Sequence, residues 1–103
     1  MTVVVTAMFT PKEGAFNDVV AALSPAIAEV HDEPGCILYA IHEAPNGQIV
    51  MIEKWESAEL LDAHGAGEPV KRLNASLEGL LAEPVEVTRL AAIPAGTSAQ
   101  GAL

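Results

Sequence analysis

The sequence predicts an α+β fold whose strands and helices follow the order β-α-β-β-α-β. Three observations carry this prediction. Apolar residues alternate with a period of two in four separate segments, and they recur at helical spacing in the segments between them. The pair Asn46-Gly47, typical of β-hairpin turns, lies between the second and third strand segments. Ser57, a good helix N-cap, directly follows the third strand, where the period changes to helical.

The first strand and the first helix occupy the amino-terminal third of the chain. Residues 2–10 are β-branched and apolar, so we expect a mostly buried strand. An apolar stripe at helical spacing follows over residues 16–30. Pro25 lies inside this stripe and should kink the helix near residues 21–22 rather than end it, because the stripe resumes at Ile27. His31, at the end of the helix, is interpreted as a surface or cap residue.

The remaining elements follow from the same patterns. Residues 36–43 and 48–55 are predicted to form an antiparallel hairpin. A short helix follows Ser57, and a second one starts near Pro69 and carries its apolar stripe to Leu81, with Glu83-Pro84 as its end. Residues 85–93 alternate as a last strand. We therefore expect one folded domain over residues 1–93 and a disordered tail over residues 94–103, which are small and unpatterned.

Charge and cysteine content exclude several classes of protein. The net charge of −9 argues against a nucleic-acid partner and against an anionic membrane. Cys36 is the only cysteine, so there is no internal disulfide and no thiolate metal cluster. No basic residue precedes the amino-terminal apolar run, and no apolar run reaches transmembrane length. These features favour a cytoplasmic protein without a membrane partner.

The predicted order of elements is the ferredoxin-like arrangement, an antiparallel sheet with its helices on one face. The other face would be bare in a single chain. Both sides of the first three strands are rich in apolar residues, so that face is not suited to water. We therefore expect a homodimer in which two sheets pack face to face.

Three short motifs resemble one family. Glu-Pro-Gly-Cys-Ile-Leu-Tyr at residues 33–39, Glu-Lys-Trp-Glu-Ser at residues 53–57 and Pro-Lys-Glu-Gly at residues 11–14 combine with His64, nine residues after the Trp. Over residues 3–90 the chain resembles the antibiotic biosynthesis monooxygenase (ABM) family. The resemblance implies a dimeric α/β barrel with an apolar pocket in each protomer, between sheet and helices. Family members include cofactor-independent oxygenases of quinols and polyketide anthrones, haem-degrading enzymes and an isomerase branch.

The residues at positions that differ between branches of the family indicate which branch this chain resembles. Anthrone oxygenases of this kind carry an Asn where this chain has Met51. The haem-degrading branch uses an Asn on the first strand, a Trp where His64 stands, and a ligand His about ten residues further on. This chain has Thr and Ala at positions 6–7, and Leu and Asn at positions 73–74, so haem degradation is disfavoured. His64 is the residue typical of the quinol-monooxygenase-like members.

The resemblance therefore implies oxygenation without metal, flavin or other cofactor. Such a reaction needs an electron-rich substrate that becomes a carbanion or phenolate able to reduce oxygen itself, and a base to remove its proton. Histidine titrates near neutral pH, so His64 is the first candidate and His42 the second. Structural alternatives are that His64 caps the helix break at Gly65, and that His42 faces the dimer core or solvent.

The other candidate residues surround that base. With His64, the predicted catalytic group contains Trp55, as a flat wall for an aromatic ring or as core packing, and Glu53. Glu53 could orient the base or bind a substrate hydroxyl, but we expect an ion pair with Arg89 or Arg72 instead. The predicted substrate pocket comprises Met51, Tyr39, His42 and Met8. No metal site is predicted.

The sequence alone leaves two functions open. The first is a cofactor-independent monooxygenase that acts on a quinol or a polyketide-like aromatic. The second is a dimeric binding protein for a small aromatic or quinone-like ligand, without turnover, which Met51 in place of the Asn favours. An isomerase is a weaker third alternative.

Overall fold

The computed structural model describes residues 1–103 and contains four strands and three helices. Their bounds are β1 Val3–Phe9, α1 Phe16–Val30, β2 Cys36–Glu43, β3 Ile49–Trp55, α2 Ala58–Gly65, α3 Glu68–Leu77 and β4 Glu86–Leu90. The strands form one sheet in the order β2-β3-β1-β4, and all three neighbouring pairs are antiparallel. This is the ferredoxin-like α+β arrangement that the sequence predicts.

The hydrophobic core lies between the three helices and one face of the sheet. In β3 the buried residues are alternate ones, because strand side chains point to opposite faces in turn. The register places Met51 opposite both Ala7 of β1 and Ile41 of β2, so these three side chains share the helix-covered face. The core residues that the helices contribute are Val19, Leu23, Ala26, Val30, Leu61, Leu73 and Leu77.

Two local signals in the sequence are confirmed. The β2–β3 hairpin turns through Asn46-Gly47, where Gly47 has a φ of 85° that an L side chain rarely adopts. The Ala44 amide closes the hairpin by donating to the Gln48 carbonyl at 2.9 Å. At the start of α2, the Ser57 hydroxyl accepts a hydrogen bond from the Leu60 amide at 3.2 Å, as expected of an N-cap.

The start of β2 departs from the strict alternation that its sequence predicts. The register with β3 shifts between Cys36 and Leu38, so that Cys36 pairs with Trp55 while Tyr39 pairs with Glu53. An extra residue in one strand is a β-bulge, and it moves the following side chains to the other face. Strict alternation would put Cys36 and Tyr39 on opposite faces. In the structure both pack against the core, and Ile37 between them is 52% exposed.

Helix α3 and strand β4 are shorter than predicted. The helix ends at Leu77, before Gly79, whose φ of 81° is incompatible with a continuing helix. Leu80 and Leu81 nevertheless pack against the core from the turn that follows. Strand β4 spans Glu86–Leu90 rather than residues 85–93, and it forms an edge of the sheet with every residue exposed.

The second face of the sheet carries none of the helices and is more than half apolar. Its apolar side chains are Val4, Met8, Leu38, Ala40, Val50, Ile52 and Leu90, and it also carries Thr6, His42, Lys54, Glu86 and Thr88. We call this surface the open sheet face. Residues 94–103 contain no helix or strand but include a turn in which Gly101 donates to the Thr97 carbonyl. Their disorder stays a prediction. None of the helices has the length and apolar character needed to cross a membrane.

Gly35, in the turn between α1 and β2, gives a test of how tightly this turn packs on α2. Its φ is 84°, and a Cβ built on it would lie 2.5 Å from Leu60 Cδ1 and 2.9 Å from Leu60 Cβ. Gly47 has nearly the same φ but nothing within 4 Å of such a Cβ. We expect both Ala substitutions to incur backbone strain, and Gly35→Ala to cost about 1–3 kcal/mol more through overpacking. Urea unfolding of the two variants measures this difference, and equal costs would contradict the close packing.

Candidate active site

A cavity of about 260 Å³ opens between the helix-covered face of the sheet and helices α2 and α3. Eight of its 14 lining residues are aliphatic or phenylalanine side chains, which come from β1, α2, α3, β4 and the residue before β4. The polar side chains that reach it are Tyr39, Glu53, His64, Asn74 and Arg89. An apolar cavity with a few converging polar groups is the usual form of a small-molecule site.

His64 is held in the wall of this cavity by a hydrogen bond to the α1–β2 turn. Helix α2 places the ring in the interior, where the residue is only 6% exposed. Its Nδ1 lies 3.1 Å and 3.3 Å from the two carboxylate oxygens of Glu33. The bond joins residues 31 positions apart, so it also ties α2 to the turn that precedes β2.

Two aromatic side chains fix the plane of the His64 ring. The Trp55 ring lies below it, with centroids 4.5 Å apart and planes tilted by 31°. Tyr39 meets the imidazole edge-on, at a centroid distance of 5.4 Å and an angle of 74°. Tilted or edge-on arrangements at these distances are the favourable ones for aromatic pairs. Trp55 is fully buried and does not line the cavity, so it supports the histidine rather than forming a wall for a ligand.

Three polar atoms at the cavity remain available for a ligand. His64 Nε2, the Tyr39 hydroxyl and the second carboxylate oxygen of Glu53 make no hydrogen bond within the chain. No fully buried side-chain nitrogen or oxygen lacks a partner, so each of these three atoms keeps some access to solvent, and all three belong to residues that line the cavity. A bound molecule can therefore meet one ring nitrogen, one phenol and one carboxyl oxygen.

Glu53 does not form the predicted ion pair. Arg89 contacts Asp62 at 2.6 Å instead, and Arg72 pairs with Glu29. Glu53 and Arg89 share a sheet face but flank Val5 of β1, so a whole strand separates them, and Glu53 is only 6% exposed. Its Oε1 accepts a hydrogen bond from Trp55 Nε1 at 2.9 Å. Burial raises the pKa of Glu53, while the Trp55 hydrogen bond and nearby His64 partly offset that rise.

Tyr39 is placed to donate a hydrogen bond rather than to act as a base. Burial raises the pKa of its phenol well above the usual value, and the neighbouring carboxylates of Glu53 and Glu33 raise it further. The hydroxyl therefore stays protonated over the physiological pH range. Its proton is available to an oxygen atom of a ligand in the cavity.

Of the four predicted pocket residues, the structure brings only Tyr39 to the cavity. Met51 is fully buried beneath it, opposite Ala7, and does not line it. Met8 and His42 both pair with Val50, on the open sheet face, and so lie on the other side of the sheet from His64. This corrects their predicted placement. Both sheet faces are apolar, so the sequence does not show which one the helices cover.

Glu33 is a residue of the candidate site that the sequence did not indicate. In the sequence it belongs to the Glu-Pro-Gly motif, which indicates only a helix stop. No spacing rule connects it to His64, because the contact depends on the packing of α2 against the turn. Asn74 and Arg89 also reach the cavity, although the sequence indicates only an ion pair for Arg89 and no role for Asn74.

The structure offers no ready metal site. No group of three His, Cys, Asp or Glu side chains is arranged to hold a metal ion. The prediction that the protein works without a cofactor stays a prediction.

The raised pKa of Glu53 predicts how a variant changes stability with pH. Above the ordinary value of 4.5, the folded state keeps a proton that the unfolded state has lost, so this group destabilises the fold as pH rises through its raised pKa. Glu53→Gln keeps an oxygen that can accept from Trp55 and removes this titration. We expect the free energy of unfolding of the variant, relative to the natural chain, to increase from pH 4 to pH 8. Urea unfolding across that range measures it, and a difference independent of pH would contradict the assignment.

Comparison with known proteins shows which family this chain is similar to. The chain is 34% identical over 90 residues to the Mycobacterium tuberculosis protein named "Putative monooxygenase Rv0793", a match that covers 86% of this chain and 89% of that protein. The structure of Rv0793 superposes with a TM-score of 0.85 at 31% identity, covering 94% of this chain and all of the other.

A second solved structure and a family profile agree with this match. A crystal structure described as an antibiotic biosynthesis monooxygenase gives a TM-score of 0.82 at 26% identity, covering 89% of this chain and 99% of that one. PA3566 from Pseudomonas aeruginosa, at 24% identity and a TM-score of 0.81, shares the fold over 90% of this chain and 95% of its own. The profile of the antibiotic biosynthesis monooxygenase family matches residues 2–76. The chain therefore belongs to the antibiotic biosynthesis monooxygenase family.

Proposed function

We propose that the protein is a monooxygenase that oxidises a small electron-rich aromatic, a quinol or a polyketide-type anthrone, with molecular oxygen and without metal or flavin. The observation that carries this proposal is the environment of His64. Its Nδ1 is engaged by Glu33, its plane is fixed by Trp55, and its Nε2 is left without a partner at an apolar cavity. Membership of the family supports the class of reaction.

The proposed reaction balances with one substrate molecule and one oxygen molecule. His64 Nε2 takes a proton from a phenol or from the activated CH₂ of an anthrone, which leaves a phenolate with negative charge delocalised onto ring carbon, or a carbanion conjugated with the ring. The carbanion passes electrons to oxygen, and a C–O bond forms to give a peroxide anion. The proton on His64 returns to the peroxide. Loss of water then leaves a new C=O group, so one oxygen atom enters the product and the other leaves as water.

The other polar groups of the cavity suit the anion formed on the way. The Tyr39 phenol can donate a hydrogen bond to the substrate oxygen on which negative charge accumulates. Glu53 lies on the same wall and can accept from, or when protonated donate to, a second substrate hydroxyl. The apolar remainder keeps water away from the carbanion, which water would otherwise protonate.

The size of the cavity favours a small substrate. Its volume of about 260 Å³ is below the roughly 300–1,000 Å³ usual for pockets that bind drug-sized ligands. A quinol with one or two rings suits this volume better than a large polyketide.

One observation favours the alternative, a binding protein without turnover. Met51 stands where related anthrone oxygenases have an Asn, and it is fully buried in the core. It offers the cavity no amide to stabilise an anion. In this alternative the cavity binds a quinone-like ligand, and the polar groups only orient it.

We further propose that the protein is a homodimer joined through the open sheet face. Ile52 lies at the centre of that face, between Thr6 and Ala40 on the neighbouring strands. Burial of apolar area at about 25 cal/mol per Å² is the main stabilising contribution to such an interface.

The natural chain should sediment with the mass of two chains at micromolar concentration. Ile52→Asp should shift it toward the monomer, because the interface would bury an unpaired charge. Ile93→Asp is the matched control, since Ile93 is 83% exposed and lies outside the strands. Analytical ultracentrifugation measures both, with circular dichroism to confirm folding. A natural chain that sediments as a monomer would contradict the dimer.

The function itself is tested with the two histidines that the sequence offers as bases. The probes are a benzohydroquinone, a naphthohydroquinone and anthrone, with oxygen uptake corrected for spontaneous oxidation. We expect His64→Asn, whose amide can still donate to Glu33, to lower the rate about 10²- to 10⁴-fold. His42→Asn should retain the rate, because His42 lies on the other sheet face. No oxygen uptake by the natural chain, combined with saturable binding of the same probes, would favour the binding protein. Loss of activity only in His42→Asn would show that His42, and not His64, is the base.

A further inference from the structure

We infer that Glu33 is a positioning residue that fixes the tautomer of His64, holding the proton on Nδ1 and leaving the Nε2 lone pair toward the cavity. The inference rests on the proposed function in taking His64 as the base. Glu33 itself does not line the cavity and has no contact with a substrate there. It would act only through the imidazole.

The chemistry of the two partners sets the tautomer. An ionised carboxylate can only accept hydrogen bonds, and a neutral imidazole has one N–H and one lone pair. Both carboxylate oxygens of Glu33 lie within 3.3 Å of Nδ1, so Nδ1 must be the donor. The lone pair then belongs to Nε2, the ring nitrogen that has no hydrogen-bond partner within the chain. With the other tautomer, Nε2 would carry a proton and could not accept one from the substrate.

The backbone around Glu33 holds the carboxylate in place. The Glu33 amide donates to the Val30 carbonyl at 2.9 Å, and its carbonyl accepts from the Cys36 amide at 3.3 Å. Two residues on, Gly35 packs so closely against Leu60 of α2 that no Cβ fits between them. The Gly35 carbonyl also accepts from the Glu56 amide at 2.9 Å, just before α2 begins. Two contacts of Gly35 therefore fix the turn to the start of α2, two residues along the chain from Glu33.

Burial of both side chains strengthens the hydrogen bond between Glu33 and His64. The side chains of His64 and Glu33 are 7% and 20% exposed, so water competes weakly for either. When Nε2 accepts the substrate proton, the imidazole becomes a cation beside an acceptor that already faces Nδ1. Hydrogen bonds between charged partners are about twice as strong as those between neutral ones. Glu33 would thus stabilise the protonated intermediate without receiving a proton itself.

A purely structural role is the competing interpretation. In that case the bond clasps α2 to the turn, and its loss would lower stability without changing the tautomer or the turnover number of folded molecules. The two interpretations differ in what they predict for the imidazole itself, which can be measured apart from stability.

The test uses two substitutions of Glu33 and one control. Glu33→Leu removes the acceptor at similar side-chain size. Glu33→Gln keeps an amide oxygen that can accept from Nδ1 but removes the charge. Glu29→Leu is the matched control, because Glu29 is a glutamate of α1 whose exposed ion pair with Arg72 lies outside the cavity. Long-range ¹H–¹⁵N correlation spectra report the tautomer of each histidine, with His31 and His42 as internal references.

In the natural chain we expect His64 to carry its proton on Nδ1, and in Glu33→Leu to carry it mainly on Nε2. With a naphthohydroquinone as probe, kcat should fall about 10- to 100-fold in Glu33→Leu while KM stays near its original value. Glu33→Gln should keep the tautomer and show an intermediate kcat. Glu29→Leu should match the natural chain in both measurements.

Two results would overturn the inference. One is a natural chain in which His64 is protonated on Nε2. The other is a Glu33→Leu variant that melts at a lower temperature but keeps both the tautomer and kcat. If Glu33→Leu does not fold, Glu33→Ala takes its place as the variant without an acceptor, and an Ala variant that keeps both the tautomer and kcat overturns the inference. A natural chain that consumes no oxygen with any probe refutes the proposed function, whereas the tautomer spectra still decide the role of Glu33.

Discussion

The burial of Trp55 is the constraint on which the core and the candidate site both depend. This residue ends β3 and pairs with Val3 on one side and with Cys36 on the other, so it closes one end of the sheet. Its indole N–H is satisfied by Glu53, and its ring supports His64. Truncating a buried Trp costs about 3–5 kcal/mol, a large part of the stability of a domain this small. The side chain that contributes most to the core is thus also the one beneath the proposed base.

Helix α2 shows how strongly the site relies on that packing. It has only eight residues, and an isolated helix of that length is not stable in water. The Ser57 cap satisfies one amide at its start, while burial of Leu61 and His64 holds it against the sheet. The position of the imidazole is therefore set by tertiary contacts. Core substitutions that leave the cavity untouched would still move it.

The parts of the fold that the sequence predicted are those specified by neighbouring residues. The alternation that puts Glu53 and Trp55 on one face of β3, and the cap at Ser57, each depend on a few consecutive positions. The bulge at the start of β2 could not be predicted in this way, because an extra residue in a strand is recognised only against its partner strand. The contact of Glu33 with His64 bridges 31 positions and depends on the packing of a whole helix. For the same reason sequence alone did not show that Met8 and His42 face away from the cavity.

His64 and the ionisable groups around it have different roles in the proposed reaction. Burial raises the pKa of both Glu53 and Tyr39, and the Tyr39 phenol offers a hydrogen-bond donor on that side of the cavity. His64, with Nδ1 engaged by Glu33, offers a lone pair. A net charge of −9 disfavours the approach of phenolate anions from solution, and an apolar cavity disfavours their entry. In the proposed reaction the substrate therefore enters as a neutral phenol or carbon acid and loses its proton only inside. There the base and the Tyr39 donor are already in place, and the carbanion that reduces oxygen forms away from water.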